Sequence, residues 1–184
     1  DATILATMRL GAADLRKTNP NSQDLGDIKR NPIYLVLDRI IDTYNIGSLF
    51  RLADAIAAQK IYLCGEMEYP PSSKIHKAAV GTEAWVPWAK YNSALGVIKE
   101  LKQMGVQIIA VEQDPKSIPY SLLPSALRFP CAVVLGNETT GISKEVLRVA
   151  DLVVELPMFG VNKSFNVWGS AAVVAYKILE AIKR

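Results

Sequence analysis

One histidine, His76, and two cysteines, Cys64 and Cys131, are all the imidazoles and thiols this sequence has, and that scarcity narrows its chemistry at once. A zinc site draws three or four ligands from short spacings; nothing of that kind is legible, so no metal is expected. Both cysteines lie in apolar, strand-like runs and read as buried thiols, which suits a reducing, cytoplasmic setting. His76 stands between Lys74 and Lys77 and reads as a solvated side chain. A Ser-His-Asp apparatus would have to use it, and there is no Gly-x-Ser-x-Gly elbow to supply the serine. Glycine-rich phosphate loops are missing too: there is no Gly-x-Gly-x-x-Gly and no Gly-Lys-Ser/Thr. No apolar run approaches the roughly 20 residues of a membrane helix, and no signal peptide is visible, so no membrane partner is expected.

What is present is a globular composition. Half of the 184 residues are hydrophobic and 21% are charged, enough for one domain with a real core. The net charge of +3 permits a polyanionic partner without singling one out. Residues 2–17 have helical spacing (Ile4, Leu5, Met8, Leu15), and a polar connector follows to Asn31. These make an N-terminal helical arm over residues 1–32. From residue 33 to 184 strands and helices alternate. Strands are expected at Tyr34–Asp38, Lys60–Cys64, Ala84–Trp88, Gln107–Glu112, Cys131–Leu135 and Leu152–Leu156. Helices are expected at Asn45–Ala58, Ser73–Val80, Asn92–Met104, from the Ser143 cap to Ala150, and at Phe165–Ile182. A crossing studded with Pro115, Pro119, Pro124 and Pro130 leads into the Cys131 strand. The pattern is that of an α/β fold with a mainly parallel sheet and helices on both faces. The last helix is apolar nearly all round, which calls for burial on two sides, by the core and by a second subunit.

The polar loops gather late in the chain. The run Cys131–Leu135 breaks into Gly136-Asn-Glu-Thr-Thr-Gly141, where glycines permit unusual backbone angles and amides and a carboxylate can face a ligand. The run Leu152–Leu156 stops at Pro157 and turns through Gly160. Ser164 and Asn166 then precede the final helix. Two strand ends that deliver irregular loops close together predict a binding cleft beyond the carboxyl ends of the strands. The residues themselves predict a pocket and not its ligand.

Three motifs in order carry a resemblance to a known family: Asn45-Ile-Gly-Ser-Leu-Phe-Arg51, Val134-Leu-Gly-Asn-Glu-Thr-Thr-Gly-Ile-Ser143, and Leu156-Pro-Met-Phe-Gly160 with Ser164-Phe-Asn-Val167. Together with Ala79-Val-Gly-Thr-Glu-Ala-Trp-Val-Pro87, they make residues 33–182 resemble the SpoU/TrmH family of RNA ribose 2′-O-methyltransferases, in the trefoil-knotted SPOUT superfamily. Two positions depart from the family pattern. Tyr44 replaces a usual proline, a change confined to the loop. Trp168-Gly169 replaces a small and β-branched pair and bears on the cofactor pocket or the dimer contact.

The resemblance implies a C-terminal knot, a homodimer through the last helix, and S-adenosyl-L-methionine (AdoMet) bound bent among three loops. The matching cofactor positions are Glu112, Gln113, Leu135, Gly136, Asn137, Leu156, Pro157, Met158, Ser164 and Phe165. It implies methyl transfer to a ribose 2′-hydroxyl of structured RNA, tRNA ahead of rRNA, and gives His76 an RNA-facing reading. Arg51 is the leading catalytic residue, with Asn45, Glu138, Ser164 and Asn166 around it. It leaves no length for the separate substrate-binding domain some relatives carry. Each residue also has a plainer reading: Asn45 as a helix N-cap, Arg51 as the partner of Asp54, Glu138 as a brace for its own loop, Ser164 and Asn166 as caps. Two rivals stand beside the enzyme: a catalytically silent RNA-binding protein of the same fold, and an ordinary doubly wound nucleotide-binding enzyme without a knot.

Overall fold

The computed structural model describes residues 9–182. Two short helices open it, α1 (Ala12–Leu15) and α2 (Ser22–Asp27). The expected helix over 2–17 lies partly outside the described residues, and within them only Ala12–Leu15 is helical. Helix α2 was not foreseen in the polar connector. It is nucleated by a capping box in which the Asn21 side chain accepts from the Asp24 amide and Asp24 returns the bond to the Asn21 amide.

The main body alternates as expected: β1 (Asn31–Asp38), α3 (Thr43–Ala55), β2 (Ala58–Cys64), α4 (Ser73–Ala79), β3 (Trp88–Tyr91), α5 (Ala94–Gln103) and β4 (Gln107–Val111). The proline-rich crossing folds a two-residue strand, β5 (Ile118–Pro119), and a short helix, α6 (Leu123–Ala126). Then come β6 (Cys131–Leu135), α7 (Lys144–Val149), β7 (Leu152–Glu155) and α8 (Val167–Ala181). All seven strands are parallel, in the order β3-β2-β1-β6-β4-β7-β5. Strand β6 is inserted between β1 and β4, so the chain winds outward in both directions from the centre of the sheet. That switch point is where an open parallel sheet leaves a crevice at its carboxyl edge.

Alternation along the central strands fills two cores. Ile33, Leu35 and Leu37 of β1, with Val133 and Leu135 of β6, pack under α3, α4 and α8. Val36, Ala132, Val134 and Ile108 point the other way, under α5 and α7. Helix α3 lies hard against α4 at Gly47, where an added Cβ would come within 2.5 Å of the Ala78 Cβ and 2.8 Å of the Ile75 carbonyl oxygen.

Several boundaries shift by one to four residues from the sequence reading, β1 opening at Asn31 and α3 ending at Ala55 among them, and three of the shifts have a local cause. Helix α3 starts at Thr43 because the Asp42 side chain accepts from the Tyr44 amide at 2.8 Å, so Asn45 is inside the helix and is not its N-cap. Tyr44 accordingly stands in the first turn of α3 and not in a loop. The strand expected at Ala84–Trp88 begins only at Trp88. Gly81, at φ +92°, turns the chain into a 3₁₀ helix over Thr82–Ala84, and the ladder resumes when the Ile61 amide donates to the Pro87 carbonyl at 2.9 Å. The last helix starts two residues late, at Val167, behind its Asn166 cap.

Candidate active site

A cleft of about 520 Å³ opens at the carboxyl edge of β4, β6 and β7, beside the start of α3 and of α8. Of the expected cofactor positions, Glu112, Gln113, Leu135, Gly136, Asn137, Leu156, Met158, Ser164 and Phe165 all line it. Pro157 does not; its side chain is exposed at the rim between Leu156 and Met158. Asn45, Glu138, Ser164 and Asn166 line it too, whereas Arg51 is exposed on α3 off the cleft wall.

The connections inside the cleft separate groups that build it from groups that face it. The Asn137 side chain donates to the Arg39 carbonyl at 2.8 Å and accepts from the Thr139 and Thr140 amides at 2.8 and 3.0 Å. It is an internal tie for the 136–141 loop. Glu112 is a second tie: Oε2 accepts from the Ile142 amide at 2.9 Å and Oε1 from the Gln113 amide at 3.0 Å. Gly136 is required by closeness alone, since a Cβ there would meet the Ile142 nitrogen at 2.3 Å and the Gly141 carbonyl carbon at 2.4 Å. Gln113 Nε2 donates to the Lys163 carbonyl at 2.7 Å, which anchors the 156–166 segment to the end of β4.

Across the mouth runs a chain of polar side chains from three parts of the sequence. Asn166 Nδ2 donates to Asn45 Oδ1 at 3.1 Å, and Asn45 Nδ2 donates to Glu138 Oε1 at 2.9 Å. Glu138 also accepts from the Ile41 and Asp42 amides at 2.8 and 3.0 Å. Burial pushes the Glu138 carboxyl up, but the bonds from Asn45, Ile41 and Asp42 outweigh it and hold its pKa below the ordinary value. Asn45 is 4% exposed, and its amide is committed at both ends. Asn166 additionally caps α8, its Oδ1 accepting from the Trp168 and Gly169 amides. The cap reading of Asn166 and its place in the site hold together; Ser164 caps nothing, its own amide donating to Asn162 Oδ1 at 3.2 Å.

The Trp168-Gly169 departure has a local consequence. A Cβ on Gly169 would come within 2.7 Å of Phe165 Cε1, so the bare backbone there lets the Phe165 ring lie over the start of α8 and wall the cleft. The Arg51–Asp54 pair, the plainer reading of Arg51, is absent among the salt bridges of the described residues. Burial raises the Asp54 carboxyl and the charge of Arg30 offsets that in part, while the Arg30 guanidinium itself donates to the Ala58 and Trp85 carbonyls. Sequence reading missed Thr139, Glu155, Asn162, Lys163 and Ser170 on the cleft wall. Asn162 and Lys163 lie between the two halves of the third motif, and that position was the available signal. Among the described residues no group of His, Cys, Asp and Glu is arranged to hold a metal ion. Both thiols are buried, which pushes each up to about 12.

This architecture, a seven-stranded parallel sheet with a looped cleft at its switch point, is that of solved RNA methyltransferases. It superposes with a TM-score of 0.76 on the AdoMet-bound rRNA methyltransferase from Sinorhizobium meliloti, at 25% identity, over 92% of this chain and 61% of that one. The SpoU rRNA Methylase family profile matches residues 32–176, and the chain belongs to that family. It is 30% identical over 167 residues to the 23S rRNA (guanosine-2′-O-)-methyltransferase of Neisseria meningitidis, covering 90% of this chain and 65% of that protein. It is 28% identical over 158 residues to the tRNA (guanosine(18)-2′-O)-methyltransferase of Borreliella burgdorferi, covering 86% of this chain and 71% of that one. The chain thus spans about two thirds of the length of these relatives.

Proposed function

We propose that the protein transfers a methyl group from AdoMet to a ribose 2′-hydroxyl of a structured RNA. The observation that carries this reading is the Asn166–Asn45–Glu138 chain across the cleft mouth, which joins all three motifs at one place. Membership of the SpoU family supports the chemistry, and the named relatives divide between tRNA and 23S rRNA.

The cleft fits the cofactor on its own terms. Its volume suits a ligand of that size, Leu156, Met158 and Phe165 offer apolar walls, and Gly136 brings bare backbone to the wall. When bound, AdoMet supplies a methyl on a cationic sulfur that is already an activated leaving group. The chain's part is to place the hydroxyl in line with it and to lower the cost of losing the hydroxyl proton. Asn45 is fixed at both ends and orients the acceptor side of the cleft. Glu138, held ionised, fixes the 39–42 turn ahead of α3. Arg51 supplies positive charge to the acceptor phosphate and the developing alkoxide. A guanidinium is too weak an acid to give up its proton readily, so stabilisation suits it better than general base catalysis. Ser164 contacts cofactor or phosphate from the neighbouring loop.

The assembly proposed is a homodimer through α8, with the 156–166 segment threaded as the family's knot. Trp168, Val173 and Tyr176 are exposed on α8, and Phe159, Val161 and Phe165 are exposed in the segment before it, apolar surface that a second copy would cover. Among the described residues no helix is long and apolar enough to cross a membrane, and the buried free thiols suit the proposed cytoplasmic setting.

The test is incorporation of labelled methyl from AdoMet into unmodified tRNA and rRNA transcripts, followed by alkaline hydrolysis. A 2′-O-methyl protects the adjacent phosphodiester, so the label should emerge in alkali-resistant dinucleotides. AdoMet binding without any transfer to RNA would favour the silent binder.

A further inference from the structure

Helix α4 is absorbed by none of the chemistry above, and its outer face carries two lysines and a histidine beside Ser73. At about 100° per residue, Ile75 and Ala79 point into the core and Ala78 abuts Gly47 of α3. Lys74, His76 and Lys77, with Ser73, take the remaining arc. Both lysines are exposed, and among the described residues neither has a salt-bridge partner. The helix itself carries no acid. Glu68 nearby is occupied at the helix start, where its Oε1 accepts from Ser72 Oγ at 2.6 Å.

His76 is not free to rotate among its neighbours. Its Nδ1 lies 2.5 Å from Glu83 Oε1, on the 3₁₀ turn after Gly81. The Glu83 side chain is only 12% exposed, and its second oxygen is buried without a hydrogen-bond partner among the described residues. A carboxylate in that position needs the proton on Nδ1, which leaves Nε2 for the solvent side of a ring that is 44% exposed. The arrangement is a carboxylate-oriented imidazole set between two unpaired ammonium groups.

We infer that the outer face of α4 is a rail for the RNA backbone, with Lys74 and Lys77 contacting phosphates and the His76 ring, oriented by Glu83, accepting through Nε2 from a ribose 2′-hydroxyl between them. This rests on the RNA reading above and extends it to a surface outside the cleft. The place is apt for two reasons. Gly47 locks α4 onto the helix that carries Asn45 into the cleft mouth, and Arg51 leaves α3 one turn beyond Gly47, on the flank next to α4. An RNA whose ribose reaches Asn45 would therefore run its flanking phosphates towards this face. Charge complementarity, with lysines that have no acidic partner to give up, is the driving term.

The experiment measures binding of a fluorescein-labelled unmodified tRNA transcript, as a function of salt, to the whole protein and to Lys74→Ala/Lys77→Ala, His76→Gln, Glu83→Gln and the His76→Gln/Glu83→Gln pair. The lysine pair should weaken binding at least tenfold and flatten the plot of log affinity against log salt by about 0.7–0.9 per lysine. His76→Gln should weaken it severalfold, Glu83→Gln should do the same, and the pair should match His76→Gln alone, because Glu83 acts through the ring. AdoMet affinity and the melting temperature of the lysine variant should not move, since its side chains are in solvent. Unchanged affinity and slope in the lysine variant, or wild-type protein that binds phosphatidylserine vesicles and not the transcript, would overturn the rail. Additive losses in the His76/Glu83 pair would overturn the positioning role. Methyl transfer to the same transcript separates the two proposals. Binding by the rail without transfer removes the enzyme and leaves the rail, whereas transfer with unaltered binding in the lysine variant does the reverse.

Discussion

Asn45 and Glu138 stand 93 positions apart in the chain and meet through a 2.9 Å hydrogen bond from Asn45 Nδ2 to Glu138 Oε1. The bond ties the first turn of α3 to the loop after β6. Removing either partner leaves the other at the cleft mouth with an unmet group. Asn45→Ala should therefore leave Glu138 one donor short and Asn166 without its acceptor. We expect methyl transfer to fall by one to two orders of magnitude, with a stability loss of about 1–3 kcal/mol for the buried bonds. Single-turnover kinetics and denaturant titration read the two effects separately.

Glu138 also makes a prediction about pH. Its folded pKa lies below the ordinary 4.5, so its ionised form is favoured by folding. The stabilisation is complete above the unfolded value and is lost as pH falls through the folded one. The gap in unfolding free energy between wild type and Glu138→Gln should be constant near neutrality. It should narrow on acidification below about 4.5, measured by urea titration at stepped pH. A gap that widens towards acid would contradict the sign.

Arg51 separates chemistry from folding. It is exposed, so Arg51→Ala removes charge and no core volume, and the melting temperature and AdoMet affinity should hold. If it stabilises the transition state, transfer should drop by about 10²–10³, the usual cost of one preorganised donor. Lysine should rescue only partly, because it lacks the planar fork. Asp54→Ala should not mimic the loss, since no Arg51–Asp54 ion pair forms among the described residues. Full activity in Arg51→Ala would end the catalytic assignment.

Gly136 and Gly169 should respond in opposite ways to the same added methyl. At Gly136 the methyl meets backbone that cannot yield, so Gly136→Ala should cost about 3 kcal/mol or more and abolish AdoMet binding. At Gly169 it meets the edge of an exposed ring, and alanine is the better helix former by about 1 kcal/mol. Gly169→Ala should leave stability level or higher while weakening AdoMet binding severalfold, as Phe165 is pushed off the cleft wall. Calorimetric titration beside thermal melts distinguishes the pair.

Much of this protein was written in local pattern. The alternation of apolar runs and amphipathic segments determined the α/β class, the core strands β1, β2, β4, β6 and β7, and the helices α3, α5 and α8, because periods of 2 and 3.6 report burial directly. The polar, glycine-broken ends of β6 and β7 located the cleft, since irregular backbone after a parallel strand can go nowhere else. Local pattern failed where a single side chain competes for a backbone group. Asp42 and not Asn45 caps α3, which frees Asn45 for the cleft, and Gly81 with Thr82 delays β3 until Trp88. The roles of the polar residues were decided only by tertiary structure. Whether Asn137 and Glu112 face a ligand or tie a loop depends on Arg39 and Ile142, which sequence distance hides. The Asn166–Asn45–Glu138 chain exists only because β6 lies beside β1 and α8 returns to α3. Hydrophobic burial is additive along a chain and can be read from it; a hydrogen bond needs two groups within about 3 Å, and only the fold supplies the second.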